Sequence, residues 1–150
     1  MGPQFSRRSF VLMALLGLSP LPLRAAEPAL SPVPATEVDE AGLLFLRRPV
    51  IVFADSPADP SFTRQMELLQ RYLPELALRD VILITDTDPA ARSALRQRLR
   101  PRGFSLVIMD KDWGSAIRKP LPWDGREVVN AIDKMPLTRA EALEKNPAGR

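Results

Sequence analysis

The 150-residue chain contains neither cysteine nor histidine. Without a thiol it forms no disulfide and performs no thiol–disulfide exchange, so its stability must come from an apolar core. Without an imidazole it lacks the usual proton shuttle near neutral pH, the Ser-His-Asp arrangement and the commonest transition-metal ligand. Any metal would be a hard cation such as Mg²⁺ or Ca²⁺ on carboxylates. Aromatic residues make up only 6% of the chain, and no internal repeat is present. No apolar run reaches the ~20 residues that a membrane-spanning helix requires.

What the chain does carry at its start is Ser6-Arg7-Arg8-Ser9-Phe10, running into an apolar stretch that ends at Leu18 and is followed by Pro20 and Pro22. Small residues come next, at Arg24-Ala25-Ala26-Glu27. An arginine pair, a short apolar run and a small-residue cleavage site read as an export signal. The segment resembles the twin-arginine type: Ser6, Arg7, Arg8 and Phe10 match that pattern, and Val11 and Leu12 replace its usual leucine and lysine. The expectation is a signal peptide over residues 1–26, cleaved after Ala25 or Ala26, and a periplasmic destination with no stable membrane span after cleavage. With no cysteine after the apolar run, a lipoprotein anchor is excluded. Cleavage removes Arg7, Arg8 and Arg24 and no acid, so the formal charge of +3 falls to zero. The basic balance of the whole chain is therefore no footprint for nucleic acid.

Residues 27–37, with Pro28, Pro32 and Pro34, read as an extended tether. The domain is expected over 38–137, with a short C-terminal helix and tail over 138–150. Pro49 to Ala54 is an unbroken apolar run with β-branched residues, the pattern of a strand buried on both faces. Asp59-Pro60 is a cap followed by a first-turn proline, and Phe62, Met66, Leu69 and Leu73 then recur at helical spacing until Pro74. A second strand, Val81 to Ile84, precedes Asp88-Pro89 and a helix with Ala91, Leu95 and Leu99 on one stripe, stopped by Pro101 and Gly103. Phe104 to Met109 and Ala116 to Lys119 read as a hairpin about Asp110 to Gly114. Asp124 caps a last helix carrying Val128, Val129, Ile132 and Met135 until Pro136, and Thr138 to Glu141 has capping-box spacing for the tail helix.

The order β-α-β-α-β-β-α predicts an α/β, thioredoxin-like fold: a mixed sheet with helices on both faces. Residues 48–144 also resemble an uncharacterised bacterial exported family with a thioredoxin-like domain of unknown function. The resemblance lies in Val52-Phe53-Ala54, Arg79-Asp80-Val81-Ile82-Leu83-Ile84, Met109-Asp110-Lys111-Asp112-Trp113-Gly114 and Ala131-Ile132-Asp133-Lys134-Met135-Pro136-Leu137. It implies a fold and an exported location, and no activity.

Redox thioredoxins begin their first helix with Cys-x-x-Cys; here Ser56-Pro57-Ala58-Asp59 stands there, and Gly103-Phe104-Ser105 stands where they place a cis-proline. Asp55, Ser56, Asp59 and Phe104 are thus the candidate cleft residues, without a catalytic role. Arg92, Arg96 and Arg100 recur at four-residue spacing and would form an anion-binding or partner-binding face, or a merely solvated one. No aromatic residue interleaves with them, which argues against single-stranded nucleic acid. Asp86-Thr87-Asp88 resembles the metal-binding start of haloacid-dehalogenase-like phosphotransferases. With Asp55 and Asp59 it would give a weak carboxylate metal site, although Asp59 and Asp88 also serve as helix caps. Trp113 and Trp123 are either core residues or partner contacts.

The leading expectation is a non-catalytic periplasmic binding module without a cofactor, engaging a protein or a small ligand. The alternatives are a Mg²⁺- or Ca²⁺-dependent hydrolase or phosphotransferase, and a structural or assembly protein near the membrane.

Overall fold

The computed structural model describes residues 30–147. The signal peptide read over 1–26, the start of the tether at 27–29 and the chain end at 148–150 lie outside the described residues. In chain order the elements are β1 (Val33–Pro34), α1 (Glu40–Leu43), β2 (Arg48–Phe53), α2 (Pro60–Gln70), α3 (Leu73–Ala77), β3 (Val81–Asp86), α4 (Ala94–Leu99), β4 (Ser105–Met109), β5 (Ala116–Lys119), α5 (Gly125–Asp133) and α6 (Pro136–Lys145). Short 3₁₀ turns at Ala35–Glu37 and Pro89–Ala91 complete them.

The strands line up as β1-β3-β2-β4-β5. β1 and β2 both run parallel to β3, β4 is antiparallel to β2, and β5 is antiparallel to β4. Because side chains alternate along a strand, the unbroken apolar runs of β2 and β4 feed two cores at once. Val50, Val52, Leu106 and Ile108 pack with Leu69, Leu76 and Ile132 under α2, α3 and α5. Ile51, Phe53, Val107 and Met109 pack on the opposite face with Leu95, Leu99 and Trp113. This is the thioredoxin-like mixed sheet, covered on both faces. Among the described residues no helix is long and apolar enough to cross a membrane.

Four boundaries differ from the sequence reading, each for a local reason. The stretch read as a tether contributes β1, whose Val33 and Pro34 pair with Ile84 and Thr85 at the sheet edge. Pro74 and Pro136 open α3 and α6 instead of ending the preceding helices, since a first-turn proline lacks only an N–H that would have no intrahelical partner. Thr138 accordingly lies inside α6 and caps nothing; Met135 is the residue at the cap position. The single helix expected after Asp88 is broken at Arg92, which adopts a left-handed conformation (φ 49°). Ser93 then starts α4, its Oγ accepting the Arg96 backbone N–H at 3.1 Å.

At the pole where β2 and β3 begin, Arg48 is buried with 1% of its side chain exposed. Its Nε donates to Asp110 Oδ1 at 3.0 Å, Nη1 to the Arg79 carbonyl at 2.9 Å and Nη2 to Glu141 Oε2 at 2.9 Å. Lys111 extends the network to Asp80 Oδ2 and Glu141 Oε1, both at 2.8 Å. Asp110 Oδ2 accepts the Leu137 N–H at the start of α6. That helix buries no side chain fully, so this polar set is its principal attachment.

Burial opposes the charges on Asp80 and Glu141, but the Lys111 ammonium hydrogen-bonded to both, with Arg48 beside them, outweighs it and lowers both pKa values. Burial likewise opposes the Lys111 charge, and the bonds from Asp80 and Glu141 win and raise its pKa. The carboxylates therefore add stability that is complete above their ordinary values of 3.8 and 4.5 and is lost as pH falls through the depressed folded values. Lys111 adds stability that is complete below its ordinary 10.5 and is lost as pH rises through the raised folded value.

Two outcomes are expected. Arg48→Ala, which strands Asp110 in the interior, lowers stability by about 3–5 kcal/mol in urea denaturation. Glu141→Gln is less stable than the parent at neutral pH and shows a flatter acid limb when denaturation is repeated from about pH 5 downward; an unchanged acid limb would show that Glu141 carries no linked proton.

Candidate functional site

At the other pole, β2 and β3 end side by side, with the Ala54 N–H donating to the Asp86 carbonyl at 2.9 Å. The chain then turns through Asp55, Ser56, Pro57 and Ala58, all exposed, into α2. Asp59 caps that helix: its Oδ1 accepts the Ser61 and Phe62 N–H groups at 2.7 and 3.2 Å. A helix N-terminus favours an anion. Here the favoured anion is the chain's own carboxylate. Ser56 Oγ accepts the Ala58 N–H at 3.1 Å, which shapes the turn. Phe104, one register step beyond the Phe53–Ser105 pair, is half-buried and rests on the α2-side core.

The centre of this pole is Arg96. Its Nη2 donates to the Ala54 carbonyl at 2.8 Å, the Asp86 carbonyl at 3.0 Å and Asp86 Oδ1 at 2.9 Å, while Nε reaches the same Oδ1 at 3.0 Å. Asp86 Oδ2 accepts from Ser93 Oγ at 2.5 Å. The guanidinium also sits 5.5 Å from the centre of the Phe53 ring. Asp86 is thus filled on both oxygens, and Arg96 is spent joining the ends of two parallel strands.

Of the arginine face read from the sequence, only Arg96 lies within α4. Arg92 and Arg100 occupy left-handed positions at either side of it (φ 49° and 46°), so the three share no helical face. The break follows from Ser93, whose hydroxyl caps α4 and so competes with a continuous helix. Nor do the carboxylates gather. Asp55 is exposed and pairs with Arg96 Nη1 at 3.7 Å; Asp88 caps the 3₁₀ turn through the Ala90 N–H at 3.1 Å. Among the described residues no three acidic side chains are placed to hold a metal ion. A shallow hollow of about 230 Å³ remains beside Asp86 and Asp88, walled by Thr36, Thr85 and Thr87.

Sequence reasoning overlooked Gln65, which is fully buried on α2. Its amide Nε2 donates to the Trp123 carbonyl and its Oε1 accepts the Trp123 N–H, both at 2.8 Å, locking the segment after β5 onto α2. The signal was present: Gln65 lies on the same stripe as Phe62 and Leu69, and a polar residue there requires a partner. Trp123 also receives Lys119, 4.4 Å from its ring centre, whereas Trp113 is buried in the opposite core and donates Nε1–H to the Arg47 carbonyl at 2.9 Å.

Residues 45–141 match the family described as a domain of unknown function, DUF4174. No curated protein sequence matches the chain. Among solved structures, a chloroplastic thioredoxin z is 20% identical, with a TM-score of 0.48, over 60% of this chain and 81% of that one. A thioredoxin peroxidase I from Plasmodium yoelii is 12% identical, also with a TM-score of 0.48, over 70% and 79%.

Arg96→Leu is expected to cost about 3–5 kcal/mol, because Asp86 then keeps a buried charge without its cation. Adding Asp86→Leu should recover part of the loss, giving a coupling of roughly 0.5–3 kcal/mol in a double-mutant cycle by urea denaturation. Strict additivity would show that the pair is not a clamp.

Proposed function

We propose, for a chain that belongs to the DUF4174 family of domains of unknown function, a non-catalytic binding role in an exported, periplasmic setting. One observation carries this reading: at the pole where a thioredoxin-like fold does its chemistry, the buried polar groups are consumed by the fold. Asp59 holds the α2 N-terminus, and Asp86 is shared between Arg96 and Ser93. Among the described residues no carboxylate cluster is placed to hold a metal ion, and the chain has neither thiol nor imidazole.

What remains available is surface. The exposed turn Asp55 to Ala58 follows β2, and half-buried Phe104 precedes β4 at the same end of the sheet. A turn held by a helix cap on one side and an arginine clamp on the other is pre-organised, which reduces the ordering cost of binding. The occupant that suits it is a protein segment that sets a cation against Asp55 and covers Phe104.

Site-specific photo-crosslinking tests this. With a photoreactive residue at Ser56 in the full exported chain, a discrete adduct is expected, absent when the probe is placed at Glu144. The partner so identified should bind the purified protein at least about tenfold more weakly after Asp55→Arg. Turnover of a substrate that Asp55→Arg or Phe104→Ala abolishes would replace this reading with an enzymatic one.

A further inference from the structure

Four of the large apolar side chains that the fold leaves exposed lie at the opposite pole, where β2 and β3 begin. Leu44, Phe45 and Leu46 immediately precede β2 and are 41%, 61% and 62% exposed, and Leu78 precedes β3 at 77%. Phe45 sits in the left-handed region with φ 62°, an unfavourable conformation for a bulky residue unless its surroundings impose it. Here they do: the Phe45 N–H donates to the Lys111 carbonyl at 2.7 Å, and the Trp113 indole holds the Arg47 carbonyl. The apolar knuckle is therefore fixed in an outward-facing form. Next to it a cleft of about 360 Å³ is lined by Leu30, Val33, Leu43, Ala77 and Ile82.

The chain itself enters the domain at this cleft, through Leu30. Only eleven residues, 19–29, separate Leu30 from the nine-residue apolar run 10–18, whose side chains carry no charge. Fully extended, that connection spans at most roughly 40 Å, so the run always lies within reach of the pole. A short tether of this kind holds its cargo at an effective concentration in the millimolar range, where even a weak apolar contact is populated. We propose that, while it remains attached, the apolar run 10–18 docks on the Leu44–Leu46 knuckle and the adjoining cleft, so that the folded domain shields its own leader. This contact is independent of the partner surface around Asp55, which lies at the other end of the sheet.

The absence of cysteine provides a clean test. In the full chain, Leu15→Cys is paired with Phe45→Cys at the knuckle or with Leu121→Cys, an exposed residue after β5 at the opposite pole. Under mild oxidation the Phe45 pair should close an intramolecular disulfide about tenfold faster than the Leu121 pair. Adding Leu12→Asp and Leu16→Asp should bring the Phe45 rate down to that of the Leu121 pair. Equal rates at the two poles, or a Phe45 rate untouched by the aspartates, would overturn the proposal, as would disulfides formed only between molecules, which would assign the knuckle to a second copy.

Discussion

A guanidinium buried at the first residue of the central strand obliges the rest of the chain to come to it. Arg48 is fully enclosed, and a charge in that position is tolerated only when its hydrogen-bonding capacity is filled by opposite charge and carbonyl oxygen. The partners arrive from the β4–β5 turn through Asp110, from the loop before β3 through the Arg79 carbonyl, and from the last helix through Glu141. Three segments far apart in sequence are thereby brought into one register. Asp110 transmits the constraint further, since its second oxygen accepts the Leu137 N–H and starts α6. A helix with no fully buried side chain is anchored in this way by charge where the apolar contribution is small.

The opposite end of the same strand is closed by the same device with different residues. Arg96 binds the Ala54 carbonyl at the end of β2 and both the backbone and side chain of Asp86 at the end of β3. A parallel strand pair presents its last carbonyls in one direction, and in many α/β folds that edge is where ligands sit. Here an internal cation occupies it. The consequence for function is direct: a group already satisfied by a buried partner is available to a ligand only at the cost of breaking that pair. At this strand-end edge the polar positions are filled with structural bonds.

The sheet was legible in the sequence because burial on both faces leaves a run such as Val50-Ile51-Val52-Phe53 with no polar interruption. The hairpin was legible from its polar, glycine-containing turn. β1 was not, since two residues of which one is proline carry no periodicity; only the register with β3 reveals the strand. Pro74 and Pro136 were misplaced by the ambiguity of proline itself, which ends one helix or opens the next with equal ease. The candidate site was legible only in outline. Asp59 and Asp88 were identifiable as caps, but Arg96 looked like one member of a solvated row. What distinguished it was the Ser93 break in the helix, which turns that side chain inward while leaving Arg92 and Arg100 outside. Charge on a sequence says nothing of burial, and both clamps depend on burial.

The two clamped ends also explain why the free surface is divided. Between them both faces of the sheet are packed against core side chains, and the two candidate surfaces lie at the poles. One pole offers a polar turn and a threonine-lined hollow; the other offers an apolar knuckle whose Phe45 is held against its conformational preference by Lys111 and Trp113. That strain is sustained by the hairpin turn, which Asp110 fixes through the Arg48 network, so the knuckle's geometry depends on the buried charge. The polar turn depends instead on Arg96 and Asp59, which among the described residues share no hydrogen bond or ion pair with that network. Sites supported by separate clamps, with no partner in common, respond independently to substitution. A single small domain can therefore carry two unrelated contacts without either one constraining the other.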